Sequence, residues 1–82
     1  MRNLPIDCLR TFLTVAEVKG FTQAGQILGR TQPAVSLQIK KLENLIGAQL
    51  MVRGGSRVDL TPSGERLLDY ARQILALNDG AL

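Results

Sequence analysis

Thr31, Gln32, Pro33, Ser36 and Lys40 stand close together in the stretch TQPAVSLQIKKLENLIG. Hydroxyl, amide and ammonium groups at such intervals can bond phosphate oxygens and the edges of bases. They can do so together only if one element holds them on one side. At about 100° per residue, Val35, Ile39, Leu42 and Ile46 share a face with the spacing of a buried helical stripe. Pro33, Ser36, Leu37, Lys40, Lys41 and Asn44 spread over the opposite face. Thr31 can accept from the first-turn amides as N-cap, and Pro33 needs no donor there. Gly47 can take the left-handed conformation that ends a helix. The stretch therefore reads as one helix that buries one face and offers water small, amide and cationic groups. Those groups suit a nucleic acid's major groove.

A charge imbalance supports this face. The chain has 82 residues and a net charge of +3. Residues 30–57 hold five basic side chains (Arg30, Lys40, Lys41, Arg53, Arg57) and one acidic one, Glu43, a net of +4. The remainder holds five basic and six acidic side chains, a net of −1. Positive charge is thus concentrated in the centre, as on a nucleic-acid-binding surface. A hydrophobic fraction of 45% argues against disorder, and the length suits one small domain.

Composition also excludes several classes. The chain has no histidine and a single cysteine, Cys8. No intrachain disulfide is possible, which fits a reducing, cytoplasmic setting. Cys8 reads as a packed thiol, because no activating neighbour is evident. No paired cysteines, phosphate-binding glycine loop or nucleophile motif is present, so no enzyme, metal site or cofactor is expected. No apolar run approaches the roughly 18 residues of a membrane span, and no signal-peptide hydrophobic region opens the chain.

The elements that position the central helix follow in order. Residues 1–4 form a short flexible lead. Pro5 can start a helix whose apolar residues Ile6, Leu9, Phe12, Leu13 and Ala16 run to about Val18, with Gly20 ending it. Thr22 can cap a second helix carrying Ala24, Ile27 and Leu28. Gly25 lets another element approach closely, and Gly29 ends the helix. Gly29, Arg30 and Thr31 alone then separate it from the central helix, a helix-turn-helix spacing. Gln49 to Arg53 and Arg57 to Leu60 have strand character around the loop Gly54-Gly55-Ser56. With Arg53 and Arg57 beside its loop, this hairpin reads as a basic wing. Thr61 caps and Pro62 starts a last helix. Its apolar residues Leu67, Leu68, Tyr70, Ala71, Ile74, Leu75 and Leu77 cover about half its circumference. So wide a face predicts packing on the first helix together with a second copy of the chain, through Leu67, Ala71, Ile74 and Leu75.

These residues carry a resemblance. The block TQPAVSLQIKKLE, with Leu9, Phe12, Phe21-Thr22, Ala24, Gly47, Leu50, Arg53, Leu60-Thr61 and Gly64, resembles the N-terminal DNA-binding domain of bacterial LysR-type transcriptional regulators. The likeness covers nearly the whole chain. It implies a mainly α fold: a winged helix-turn-helix over residues 1–61, then a linker and dimerisation helix over residues 62–82. It also implies double-stranded DNA as partner, a homodimer with higher oligomers possible in the full-length protein, and a small-molecule effector on a C-terminal domain absent here. On that reading the chain is a fragment of a regulator.

The resemblance further assigns Thr31, Gln32, Pro33 and Ser36 to the DNA-facing front of the recognition helix. Thr31 and Ser36 would bond phosphates and Gln32 would read adenine. Lys40, Arg53 and Arg57 would supply further contacts from the helix and the wing. The chain departs from the pattern at Met51 (commonly Phe), Gly25 (Ala), Gly20 (Ser) and Leu37 (often an Arg that contacts DNA). Leu37 offers no hydrogen bond but can meet a thymine methyl. A winged helix that binds an acidic protein through the same basic face is the alternative reading.

Overall fold

Apolar residues at helical intervals build the scaffold first. The computed structural model describes residues 2–55 and 57–82. Its elements run α1 (Ile6–Val18), α2 (Phe21–Leu28), α3 (Gln32–Ile46), β1 (Met51–Gly54), β2 (Arg57–Leu60) and α4 (Pro62–Ala81). β1 and β2 pair antiparallel, from Met51 opposite Leu60 to Gly54 opposite Arg57. Ser56, expected in the hairpin loop, lies outside the described residues.

One core joins all six elements. α1 supplies Leu9, Phe12 and Val15, α2 Ala24, and α3 Val35, Ile39 and Leu42. Leu50, Met51 and Val58 close it from the hairpin, and Leu67, Ala71 and Leu75 from α4. Met51 is buried, so the thioether fills the position where the family pattern carries an aromatic ring. The expected division at residue 61 coincides with the start of α4, but the core runs across it. Cys8 is buried too, and desolvation pushes its thiol above the ordinary value, as suits a packed thiol.

Polar side chains tie these elements where apolar packing cannot. The buried Thr11 hydroxyl bonds Gln38 Oε1, fastening α1 to α3. Glu43 Oε2 accepts from the Leu50 amide at 2.8 Å, so the one acid of the basic stretch holds α3 to the start of the hairpin. Thr61 Oγ1 donates to the Gln49 carbonyl at 2.6 Å and accepts from the Gly64 amide at 3.1 Å, capping α4 while gripping the hairpin. A Cβ on Gly64 would lie 2.1 Å from the Leu50 carbonyl oxygen, so only glycine permits this approach.

Several boundaries differ from the expectation. α1 ends at Lys19, not Gly20: Lys19 is left-handed at φ 58°, while Gly20 is extended. The Lys19 carbonyl accepts from the Val58 amide at 3.1 Å, so a contact with β2 fixes this turn. Gly20 then serves as N-cap of α2 without a side-chain bond, and Thr22 falls inside the first turn. At Gly25 the close neighbour is the turn itself, since a Cβ would lie 2.6 Å from the Arg30 carbonyl oxygen. The buried stripe of α3 also stops a turn early. Ile46 stays 38% exposed because the chain leaves the helix at Gly47, before further core can cover it.

Candidate nucleic-acid interface

The sequence of α3 sets its own start. Thr31 is extended, and its hydroxyl accepts from the Ala34 amide at 3.3 Å. Val35, Ile39 and Leu42 then lock the inner face into the core, which fixes the rotation of the helix. Pro33, Leu37, Lys40, Lys41 and Asn44 project to solvent, with Gln32 and Ser36 half-buried at the edge of the same face. Leu37 is 71% exposed, as expected from its place opposite Val35.

The wing reaches this face through Arg53. Its Nη2 donates to Ser36 Oγ at 2.6 Å, and its guanidinium carbon sits 3.8 Å from the centroid of the Phe21 ring. A guanidinium over an aromatic ring is held by the ring quadrupole while its remaining N–H groups stay available. One side chain therefore joins β1, α2 and α3. Arg57 sits across from Gly54 and pairs with Asp59 at 3.4 Å. The wing and the helix-turn-helix enclose a groove of about 470 Å³, lined by Thr22, Gln23, Gln26, Gln32, Arg53 and Arg57 among others. Six side chains rich in donors thus converge on a cleft open to solvent, and among the described residues no acid lines it. Such a cleft suits a phosphate backbone.

Of the eight expected DNA-facing residues, Gln32, Arg53 and Arg57 line this cleft and Ser36 is bonded to Arg53, Leu37 and Lys40 line a separate groove on α3, and Thr31 and Pro33 stand at the start of that helix. Three members of the expected dimerisation set face inward: Leu67, Ala71 and Leu75 are buried within the chain, against the core that α1 heads. Ile74 is half-buried against that core. The large apolar side chains that α4 leaves to solvent are Tyr70 (63% exposed) and Leu77 (76%). Sequence reasoning also missed Phe21, Gln23 and Gln26 as part of the groove. The only signal available was their place in the first turns of α2, next to the helix-turn-helix.

Two helices joined across Gly29, Arg30 and Thr31, followed by a paired hairpin, make a winged helix-turn-helix. Residues 6–65 match the family described as bacterial regulatory helix-turn-helix protein, lysR family, and the chain belongs to it. It is 46% identical over 81 residues to the HTH-type transcriptional regulator DgdR of Burkholderia cepacia, a match covering 99% of this chain and 28% of DgdR. The chain thus spans little more than a quarter of that relative's length. The crystal structure of Vibrio fischeri DarR in complex with DNA superposes with a TM-score of 0.91 at 36% identity, covering 98% of this chain and 27% of that one. The BenM_DBD/catB site 1 DNA complex gives 0.90 at 37% identity, covering 95% of this chain and 88% of that one. The chain is accordingly a helix-turn-helix domain of the LysR family, and two of the solved domains it resembles were captured on DNA.

Proposed function

We propose that this chain is the part of a bacterial transcription regulator that binds double-stranded DNA sequence-specifically, as a homodimer in the cytoplasm. The observation that carries the reading is the solvent face of α3 set beside the Arg53-anchored wing. α3 enters the major groove, and the wing follows the backbone or the adjoining minor groove. Gln32 can bond adenine N6 and N7. Thr31, Ser36, Lys40 and Arg53 bond phosphates, with Arg57 beside them. Arg53 keeps donors to spare after bonding Ser36, so it both contacts the backbone and steadies the helix that reads bases.

The domain needs no cofactor and carries no catalytic step. A small-molecule effector acts through a further domain of the full-length regulator. The exposed Tyr70 and Leu77 stripe of α4, bordered by Ile74, pairs with its counterpart in a second copy. The two recognition helices then lie about 34 Å apart, or a multiple of that, one DNA turn per step.

A salt titration of duplex binding tests the reading. Binding should weaken steeply with salt, and Arg53→Ala should lower the slope of log affinity against log salt by about one. An unchanged slope combined with lost sequence preference would contradict the phosphate role. Salt-insensitive binding to duplex, with tight binding to an acidic protein, would favour the protein-interaction alternative.

A further inference from the structure

The flank of α3 turned away from the wing carries its own cations. Ser36 and Glu43 mark the wing side, through their bonds to Arg53 and to the Leu50 amide. Leu37, Lys41 and Leu45 follow one another at i, i+4, i+8 and form a ridge on the other side. The N-terminal segment lies along that ridge: Arg2 Nη1 donates to the Leu45 carbonyl at 2.7 Å, across 43 positions of sequence. Carbonyls of a last helical turn lack partners within the helix and sit at its negative end, so the guanidinium is well placed there. It uses one N–H and keeps the others. Arg2, Lys40 and Lys41 share a groove of about 580 Å³ with Leu37 and Asn44, and among the described residues no acid lines it. Among the described residues none of these three cations is ion-paired.

An α-helix about 10–12 Å across fills a major groove about 12 Å wide, so a sugar–phosphate strand passes on each side of it. The wing covers one side. We infer that Arg2 and Lys41 form a second phosphate-binding ridge, which takes the backbone of the DNA strand opposite the one held by Arg53 and Arg57. The inference rests on the DNA-binding reading above and adds to it a binding residue from outside the helix-turn-helix.

The test uses a duplex recovered by the wild-type chain from a randomised pool. Arg2→Gln can keep a donor for the Leu45 carbonyl but removes the charge, so it separates phosphate contact from anchoring of the N-terminal segment. Arg2→Gln and Lys41→Ala should each lower the salt slope by about 0.9, and Arg2→Lys should keep it. Duplexes with single phosphates neutralised as methylphosphonates should then map the contacts. Arg2→Gln should lose sensitivity at a phosphate on one strand, and Arg53→Ala at a phosphate on the other. Unchanged slopes in both Arg2→Gln and Lys41→Ala, with wild-type binding intact, would overturn the ridge alone. So would mapping of Arg2 and Arg53 to the same strand. A wild-type chain that recovers no duplex would overturn the DNA-binding reading with it.

Discussion

α3 and α4 begin with the same chemistry and end in different roles. Each has an extended threonine N-cap whose hydroxyl accepts from an amide three residues on, and each has proline in its first turn. Each buries a three-residue apolar stripe, Val35-Ile39-Leu42 in one and Leu67-Ala71-Leu75 in the other. The inner faces are interchangeable in kind. The outer faces are not. α3 shows water lysines, an amide, a proline, one leucine and, at its last turn, Ile46, whereas α4 shows acids and arginine interspersed with Tyr70 and Leu77. Capping and core stripes thus explain why both are helices, while the uncovered side chains decide what each can meet.

The sharpest way to break this comparison is to separate the two faces of α4. Leu75→Ala opens a cavity in the core and should cost about 2–5 kcal/mol of stability in urea unfolding. Leu77→Glu should leave a single chain's stability within about 0.5 kcal/mol. It should, however, dissociate the proposed dimer in sedimentation velocity, because it sets charge into an apolar contact. Equal stability losses in the two variants would show that the inner and outer faces have been misassigned.

On α3 the corresponding probe is Leu37. Its exposure leaves room for a long side chain, so Leu37→Arg should fold as wild type does. The new guanidinium can bond guanine O6 and N7, adding roughly 1–3 kcal/mol of discrimination at one position of each half-site. Selection from a randomised duplex pool reads this directly. Recovery of one consensus by both proteins, with no position altered, would mean that residue 37 does not read bases.

The smallest effect lies at the far end of α4. Arg10 Nη2 and Asp79 Oδ1 are 2.7 Å apart on the surface, tying α4 back to α1. Hydrogen bonding to Arg10 holds the Asp79 carboxyl below its ordinary value, and the same bond raises Arg10. A carboxyl lowered in the folded state adds stability above its unfolded value and loses it as pH falls through the folded one. Acidification through and below the ordinary carboxylate range should therefore loosen the last turns of α4 and leave its start unchanged. Amide exchange along the helix, with an NMR titration of Asp79, reads both ends. Uniform loosening along α4 would place the acid-sensitive group elsewhere. Solvent screens the pair, so the change should be slight.

Local chemistry made much of this molecule legible from its sequence. Thr31, Pro33 and Gly47 bounded α3, Thr61 and Pro62 opened α4, and the spacing of Val35, Ile39 and Leu42 chose the buried face. Each of these depends on residues within a few positions of one another, which is why a one-dimensional pattern can reveal it. What failed depended on distant contacts. Lys19 takes the left-handed turn beside Gly20 because β2 reaches its carbonyl. Arg53 meets Ser36 and Phe21 only once the hairpin folds back over the helices. Arg2 reaches Leu45 only when the N-terminal segment crosses α3. The wide apolar face of α4 could be read from its spacing, but not how much of it α1 would cover. Periodicity reports which residues share a side; how much of that side is buried depends on the width and position of the neighbouring helix, and tertiary packing alone supplies those.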